Sequence, residues 1–301
     1  MKKKEQKIII CICLVLLLFS WLIAIIAKSD TEKQLELIRQ ALTLIDDEIY
    51  VRAVPLLEEA AEYRTIHTFA AENELKRAYL ALSDTRGYQM KYVRLLERQL
   101  GKNNIPREIY REAALYYLSK KRYKEAFETF KNGIAETDCP ELTELYEQNR
   151  YIYEVHRTRY DYVSEIYNGH LRVKKDELWG MINTNGKQII PCMYEQISAF
   201  SNNRVIVQKN GAIFAVDSNN NRIAVFSEDV DSSSFFTEVE QQPDTGLTPV
   251  KAGEYFGYSN NKGDMVIEPV FHEAKNFVNG SAPVRTDFGW NIITLVERKV
   301  K

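Results

Sequence analysis

Twelve residues, Trp179-Gly-Met-Ile-Asn-Thr-Asn-Gly186-Lys-Gln-Ile-Ile190, recur 77 positions later as Phe256-Gly-Tyr-Ser-Asn-Asn-Lys-Gly263-Asp-Met-Val-Ile267. The match continues without a gap, since Tyr194-Glu-Gln-Ile-Ser-Ala-Phe200 falls on Phe271-His-Glu-Ala-Lys-Asn-Phe277. Each copy joins short apolar runs through turns rich in Asn and Gly, which is typical of small antiparallel strands. The sequence therefore predicts a β region built from internal repeats over residues 168–301.

Two weaker copies extend the repeat. Phe214 opens one of them, 35 residues after Trp179, with Ala215 in the place of the glycine. Phe288-Gly-Trp290 opens a shortened copy near the C-terminus, and a longer Ser- and Asp-rich stretch follows Val230. Arrays of this kind form a solenoid, a propeller-like ring or a barrel, and the sequence does not choose among the three.

These residues resemble the WG-repeat family, whose units begin with a Trp-Gly pair and continue through a Gly turn to a Pro and two aromatic positions. The resemblance implies an all-β antiparallel interaction module, mostly found in bacteria, with no shared enzymatic activity. A glycine beside an aromatic residue lets a neighbouring strand pack on bare backbone, so we expect the motif to be mainly structural. The motif residues are Trp179, Gly180, Gly186, Pro191, Tyr194, Phe200, Phe214, Phe256, Gly257, Gly263, Pro269, Phe271, Phe277, Phe288, Gly289 and Trp290.

Residues 28–167 show helical periodicity instead. Three segments superpose on Tyr50, Tyr88 and Tyr123, at spacings of 38 and 35 residues. With Ala53 and Ala126 at a position where two helices must approach closely, these segments resemble tetratricopeptide-type repeats, and we expect stacked α-hairpins. The resemblance implies a peptide-binding groove, and a rigid spacer is the equally weighted alternative. Tyrosines from Tyr146 to Tyr167 are expected to pack between hairpins.

The N-terminus carries an uncharged run of twenty residues, Ile8 to Ala27. At a rise of about 1.5 Å per residue it is long enough to cross a bilayer, so we predict one transmembrane helix over residues 8–27. Residues 1–7 form a basic flank, which places the N-terminus in the cytoplasm and the bulk of the chain outside the cell membrane. A cleaved signal peptide is the alternative.

Composition limits the classes of partner. The formal net charge is −2 and no basic run follows residue 27, so nucleic acid is not expected as a partner. Cys139 and Cys192 fall in different predicted modules, and two unpaired thiols are favoured over a disulfide.

Catalytic and metal-binding motifs are not visible in the sequence. The four histidines are far apart, and no Walker loop, GxSxG or HExxH motif is present. His272-Glu273 replaces Glu195-Gln196 of the first copy, which suggests an exposed strand or turn. We therefore expect no catalytic residue, no metal site and no cofactor.

The sequence thus favours a membrane-anchored, extracytoplasmic binding or scaffolding protein that is not an enzyme. Its expected partner is a protein or a component of the cell envelope, with the lipid bilayer contacted through residues 8–27. The alternatives are a cell-wall-active enzyme or accessory with a glycan-binding β module, and a structural spacer.

Overall fold

The structure is a computed structural model, which describes residues 2–225, 233–239, 241, 243 and 245–297. For residues 2–15, 19, 22–24, 225 and 233 only the backbone is described. The chain divides into two compact units, Met1–Ala113 and Ala114–Lys301. A helical part comes first and antiparallel sheets follow, in the order that the sequence predicts.

Seven α-helices are described, and the boundary between the two units falls within the fifth. Their bounds are α1 (Lys2–Asp46), α2 (Tyr50–Ala60), α3 (Thr68–Ala81), α4 (Tyr88–Leu100), α5 (Arg107–Ser119), α6 (Tyr123–Thr137) and α7 (Pro140–Asn149).

The first unit is built by consecutive helices that pack against each other. Ile38 of α1, Ala60 at the end of α2 and Ala71 of α3 form a buried cluster. Gln34 is fully buried on α1, and its amide Nε2 donates a hydrogen bond of 2.8 Å to the Ala60 carbonyl oxygen. This bond satisfies a carbonyl that the end of α2 leaves without a helical partner.

The prediction of a transmembrane helix over Ile8–Ala27 is wrong for the chain as described. Among the described residues, no helix combines the length and the apolar character that a membrane crossing requires. The apolar run does not form a separate element, because α1 continues through it to Asp46 and buries Ile38 and Ile45 in the first unit. The side chains of residues 8–15, 19 and 22–24, and those of the basic flank 1–7, lie outside the described part.

In the second unit, strands begin earlier than the predicted boundary at residue 168. The first strand starts at Tyr153, directly after α7. Tyr153 and Tyr162 therefore lie in strands, and the tyrosine-rich run does not continue as helix. Its near-helical spacing was misleading because half-buried strands also place aromatic residues at intervals along one face.

Fifteen strands are described after the helices. They are β1 (Tyr153–Arg157), β2 (Tyr162–Val163), β3 (His170–Lys175), β4 (Leu178–Asn183), β5 (Gln188–Tyr194), β6 (Gln196–Ile197), β7 (Val205–Lys209), β8 (Ala212–Val216), β9 (Arg222–Val225), β10 (Thr248–Ala252), β11 (Tyr255–Ser259), β12 (Met265–Phe271), β13 (Glu273–Ala274), β14 (Ser281–Thr286) and β15 (Gly289–Leu295). A 3-10 helix spans Ser233–Phe236.

The strands form four separate antiparallel sheets, one for each copy of the repeat. The first sheet has the order β2-β3-β4-β5, the second β6-β7-β8-β9 and the third β10-β11-β12. The fourth has the order β1-β15-β14-β13. Its last copy is short, as predicted from the sequence, and β1 supplies the strand that it lacks.

Three apolar cores hold neighbouring sheets together. Met181 of the first sheet and Val207 of the second share one core. Leu171 of the first sheet and Ile292 of the fourth share another. Tyr258 and Val284 share the core between the third and fourth sheets. A repeat therefore buries its apolar face against its neighbours, as each copy is too small to do so alone.

Candidate functional site

The hairpin register shows which residues hold equivalent positions in the four sheets. In each sheet a two-residue turn precedes the strand that carries the motif. Trp179 is the second residue after this turn in the first sheet. Phe256 and Trp290 are its equivalents in the third and fourth sheets. In the second sheet this position belongs to Ile213.

The predicted equivalence of Phe214 and Phe288 with Trp179 is therefore wrong in register. Phe214 lies one residue beyond the position of Trp179, and Phe288 lies in the turn itself. Both residues match the motif in their aromatic side chains, but the two-residue turn that precedes each strand fixes the register. Phe288 is 85% exposed, which is consistent with a turn and not with the packed position that Trp290 occupies.

Gly180 and Gly257 permit a close approach between strands. A Cβ atom on Gly180 would lie 2.7 Å from both the Cys192 nitrogen and the Ile190 carbonyl oxygen. One on Gly257 would lie 2.8 Å from the Pro269 nitrogen. The strand pairing shifts register at both positions, so each glycine lies at an irregularity of its hairpin.

Side chains that end the motif strand hold the next turn. Asn183 Oδ1 accepts hydrogen bonds from the backbone N–H groups of Asn185, at 3.0 Å, and Lys187, at 2.9 Å. Asp217 and Asn260 accept the same two bonds in the second and third sheets. An Asx turn of this kind explains the Asn-rich segments without any ligand.

In the first and second sheets, the acidic residue directly before the short first strand (β2 or β6) holds the two-residue turn that precedes the motif strand. Asp161 Oδ2 accepts a bond of 2.9 Å from the Asp176 N–H, and Glu195 Oε1 accepts one of 2.7 Å from the Asn210 N–H. The predicted pair His272-Glu273 occupies the equivalent place in the fourth sheet. There His272 Nε2 lies 2.6 Å from the exposed Asp287 carboxylate in the turn.

The remaining motif residues lie in strands, in turns or in the short connections after β6 and β13, where they serve packing or turn geometry. Tyr194, Phe271 and Phe277 are buried. Gly186, Gly263 and Gly289 have positive φ angles. The others in this set are Pro191, Phe200 and Pro269.

Tyr162 lies where the first and fourth sheets meet. Its ring makes edge contacts with Trp179 and Trp290, at centroid distances of 5.7 and 6.0 Å. Its hydroxyl donates to Glu238 at 2.6 Å, and Lys275 Nζ lies 3.1 Å from the same hydroxyl oxygen. Burial, followed by the Glu238 carboxylate, raises the pKa of Tyr162 well above its usual value. The contacts of this tyrosine indicate a structural junction.

A cleft of about 610 Å³ opens beside the first sheet. Its walls come from three segments that are distant in sequence, namely the residues around the end of β1, the turn between β3 and β4, and the residues on and before β5. The lining residues are Arg157, Thr158, Arg159, Tyr160, Lys175, Asp176, Leu178, Gly186, Gln188, Pro191 and Cys192.

Arg157, Arg159 and Lys175 are the cations of this cleft, and all three are exposed. In the part of the chain that the structure describes, none of them forms an ion pair with a carboxylate. Arg157 makes a cation–π contact with Phe288, at 5.9 Å from the ring centroid. Among the described residues, the positive charge of these three side chains is therefore not neutralised by an ion pair.

A family model for the WG containing repeat matches residues 158–179, 179–211 and 256–290. The C-terminal region carries WG repeats. Two of the matches end at Trp179 and Trp290, the motif positions of the first and fourth sheets. The remaining match ends at residue 211, two residues before Ile213 of the second sheet. No curated protein and no solved structure matches the chain.

The WG-repeat region contains Cys192, one of the two cysteines named from the sequence. Cys192 lines the cleft and is half-buried, whereas Cys139 lies just before α7 and is buried. Neither forms a disulfide. Burial raises the pKa of the Cys192 thiol above its usual value of 9.0, and the nearby Lys175 ammonium opposes this effect.

Outside the WG repeats, the predicted tyrosine positions are the first residues of alternate helices. Tyr50 begins α2, Tyr88 begins α4 and Tyr123 begins α6. Ala53 and Ala126 are fully buried one turn later, as close helix packing requires.

The helices of the first unit enclose a second cleft, of about 460 Å³, between α2, α3 and α4. Glu58 accepts hydrogen bonds from the Tyr79 hydroxyl at 2.6 Å and from Lys91 Nζ at 2.8 Å. Burial acts to raise the pKa of Glu58, but the bonds from Lys91 and Tyr79 outweigh it and the pKa is lowered. Much of the charge in this cleft is therefore paired internally, in contrast with the cleft of the WG repeats.

No group of three or more His, Cys, Asp or Glu residues is placed to hold a metal ion in the described part of the chain. The sequence offered no direct sign of the cationic cleft. Arg157 and Arg159 are two residues apart, but Lys175 and Cys192 reach the same cleft only because the first sheet folds.

Proposed function

We propose that this protein is a binding protein that performs no chemistry of its own and recognises a partner protein through its WG repeats. The observation that carries this proposal is the cleft beside the first sheet, where exposed cations line a concave surface on a rigid scaffold. Binding residues on loops and strand ends of a rigid scaffold are common in recognition proteins.

The distribution of polar contacts supports this reading. Asn183, Asp217 and Asn260 are occupied in holding turns, and Asp161 and Glu195 hold neighbouring turns. Arg157, Arg159 and Lys175, in contrast, make no ion pair among the residues described. These three side chains remain available for a partner at the cleft.

Site-directed photo-crosslinking tests the proposal. A photoreactive amino acid replaces Leu178, which lines the cleft and is 38% exposed, in the full chain expressed in its native cells. The control places the same amino acid at Ile223, an exposed residue of β9 outside the cleft. We expect a discrete protein adduct from position 178 that is absent from position 223 and is lost with Arg159→Glu. Equal adducts at both positions, or none at 178, would overturn the proposal.

A glycan ligand is the alternative that this experiment separates. A glycan-binding module would yield no protein adduct at position 178. It would instead retain the full chain on purified cell-wall material, with retention insensitive to Arg159→Glu.

A further inference from the structure

The charge of the cleft differs from that of the protein as a whole. The chain has a formal net charge of −2. Three cations line the cleft against the Asp176 carboxylate, which gives its lining a formal charge of +2. An exposed concave surface with a net positive charge concentrates anionic ligands.

The two arginines favour a particular kind of anion. A guanidinium group presents several N–H donors in a plane, and it pairs with a carboxylate or a phosphate through two parallel hydrogen bonds. Arg157 and Arg159 both contribute such groups to the cleft, and Lys175 adds a more compact charge. Among the residues that the structure describes, no carboxylate takes these donors in an ion pair, and Asp176 is the acidic residue of the cleft lining.

Apolar side chains lie beside the cations. Leu178 and Pro191 line the cleft together with the half-buried ring of Tyr160. Phe288, held near Arg157, is almost fully exposed. A ligand that fits this surface carries an anionic group and an apolar group close together.

The dimensions of the cleft favour a short segment over a polymer. Its volume of about 610 Å³ lies within the range of sites for small ligands and short peptides. A phosphate polymer is bound along an extended basic track, which an acidic chain with three local cations does not offer. Side chains of Asp and Glu beside Leu or Phe satisfy the requirements of both charge and apolar contact.

We propose that this cleft binds an acidic peptide segment of the partner, whose carboxylates pair with Arg157, Arg159 and Lys175 while an adjacent apolar side chain packs on Leu178 and Pro191. The proposal rests on the proposed function and names its ligand class.

Fluorescence anisotropy with defined peptides tests it. The probe is a fluorescein-labelled peptide, Asp-Glu-Leu-Asp-Glu-Leu, titrated with the full chain. The matched peptide replaces Asp with Asn and Glu with Gln, so that only the charges differ. We expect the acidic peptide to bind and the amide peptide to bind at least about tenfold more weakly, since a charge-assisted hydrogen bond contributes more than a neutral one.

The protein variants carry the matched control. Arg159→Ala is expected to weaken binding of the acidic peptide about tenfold or more, and raising the salt concentration to weaken it further. Arg204→Ala removes an exposed arginine of the same region that does not line the cleft, and it is expected to change binding less than about twofold. Circular dichroism confirms that both variants are folded.

Protection of Cys192 gives a second readout, because this thiol lines the cleft. The acidic peptide is expected to slow its alkylation, and the amide peptide to leave the rate unchanged. Equal affinity for both peptides, or equal binding by wild type and Arg159→Ala, would overturn the proposal. Displacement of the peptide by an equal concentration of inorganic phosphate would also overturn it, in favour of a simple phosphate site.

These outcomes are distinct from failure of the proposed function. A crosslinked partner at position 178 combined with no acidic-peptide binding leaves the binding function standing and removes only this ligand class. Peptide binding without any crosslinked protein in cells supports the ligand class of the cleft but removes the proposed binding function in the cell.

Discussion

Tyr153 lies opposite Leu295 in the antiparallel ladder between β1 and β15, so the first strand of the β region completes the last sheet. The two strands are separated by the whole of the repeat array. Such closure joins the N-terminal and C-terminal ends of the array and pairs an edge of the fourth sheet that would otherwise be open.

A proline in β1 tests this closure. The Val296 N–H donates to the Ile152 carbonyl oxygen, so the alternation of the ladder places Glu154 and Thr294 in the next hydrogen-bonded pair. Glu154→Pro removes one donor and leaves a carbonyl of the buried Thr294 without its partner. We expect the free energy of unfolding to fall by about 1–3 kcal/mol.

Urea denaturation followed by tryptophan fluorescence measures this loss, since Trp179 and Trp290 both report on the β region. Glu154→Ala is the control, because the Glu154 side chain is exposed and its backbone donor is kept; a change within about 0.5 kcal/mol is expected. Equal stability of the proline and alanine variants would show that β1 does not contribute to the fourth sheet.

Substitution of Gly180 tests the close strand approach in the first sheet. In Gly180→Ala the new Cβ meets backbone atoms of Ile190 and Cys192 at 2.7 Å, so the backbone must move. We expect a loss of about 1–3 kcal/mol in the free energy of unfolding, measured by urea denaturation. Gly101→Ala is the matched control, since its Cβ would lie 3.6 Å from the nearest atom; a loss as large as that of Gly180→Ala would contradict the steric explanation.

The sequence predicted the β repeats well where backbone geometry depends on particular residues. Gly180 and Gly257 mark the same close approach, and Asn183 and Asn260 hold the same turn, so the first and third copies align without gaps. The second copy was displaced by one residue because Phe214 resembled the motif aromatic, whereas Asp217 shows the true register.

Other features depend on contacts between distant segments, which no local pattern reports. Strand β1 carries no repeat motif and is defined by its pairing with β15. The cleft combines Arg159, Lys175 and Cys192, whose meeting follows only from the fold. The apolar run at Ile8–Ala27 was treated as an independent element, but its helix continues into the packed first unit.

A double-mutant cycle tests the buried ion pair of the first unit. Lys76 is 4% exposed in its side chain and pairs with Glu112, which also accepts a bond of 2.9 Å from the Tyr92 hydroxyl. Glu112→Gln leaves the Lys76 ammonium buried without a counter-charge. Because Glu112 is 31% exposed, we expect a loss somewhat below that of a fully buried pair, about 2–4 kcal/mol.

The double variant Lys76→Met with Glu112→Gln removes the buried charge altogether. We expect it to be more stable than Glu112→Gln alone, as measured by circular dichroism during urea denaturation. The single variant Lys76→Met completes the cycle. If the losses of Lys76→Met and Glu112→Gln add up to the loss of the double variant, the pair is not coupled energetically.

The alkylation rate of Cys192 as a function of pH tests the environment of the cleft. Burial raises the pKa of this thiol above 9.0, so the protonated form prevails at neutral pH and the thiolate forms only in more alkaline solution. Because the folded pKa exceeds the unfolded one, the corresponding contribution to stability is present below pH 9.0 and is lost as the pH rises through the folded value. Iodoacetamide reacts with the thiolate, so we expect slow modification near neutral pH and a rise of roughly tenfold per pH unit below the pKa.

Lys175→Met separates the two influences on this thiol. Removal of the ammonium group takes away the contact that opposes burial, so the pKa of Cys192 is expected to rise further and its alkylation to slow at every pH below that value. Cys139 is the internal control because it is 3% exposed, and mass mapping is expected to find it unmodified while the protein is folded. Alkylation of Cys192 at neutral pH as fast as that of an unfolded cysteine would contradict the half-buried position, and an unchanged rate in Lys175→Met would place the ammonium group outside the cleft.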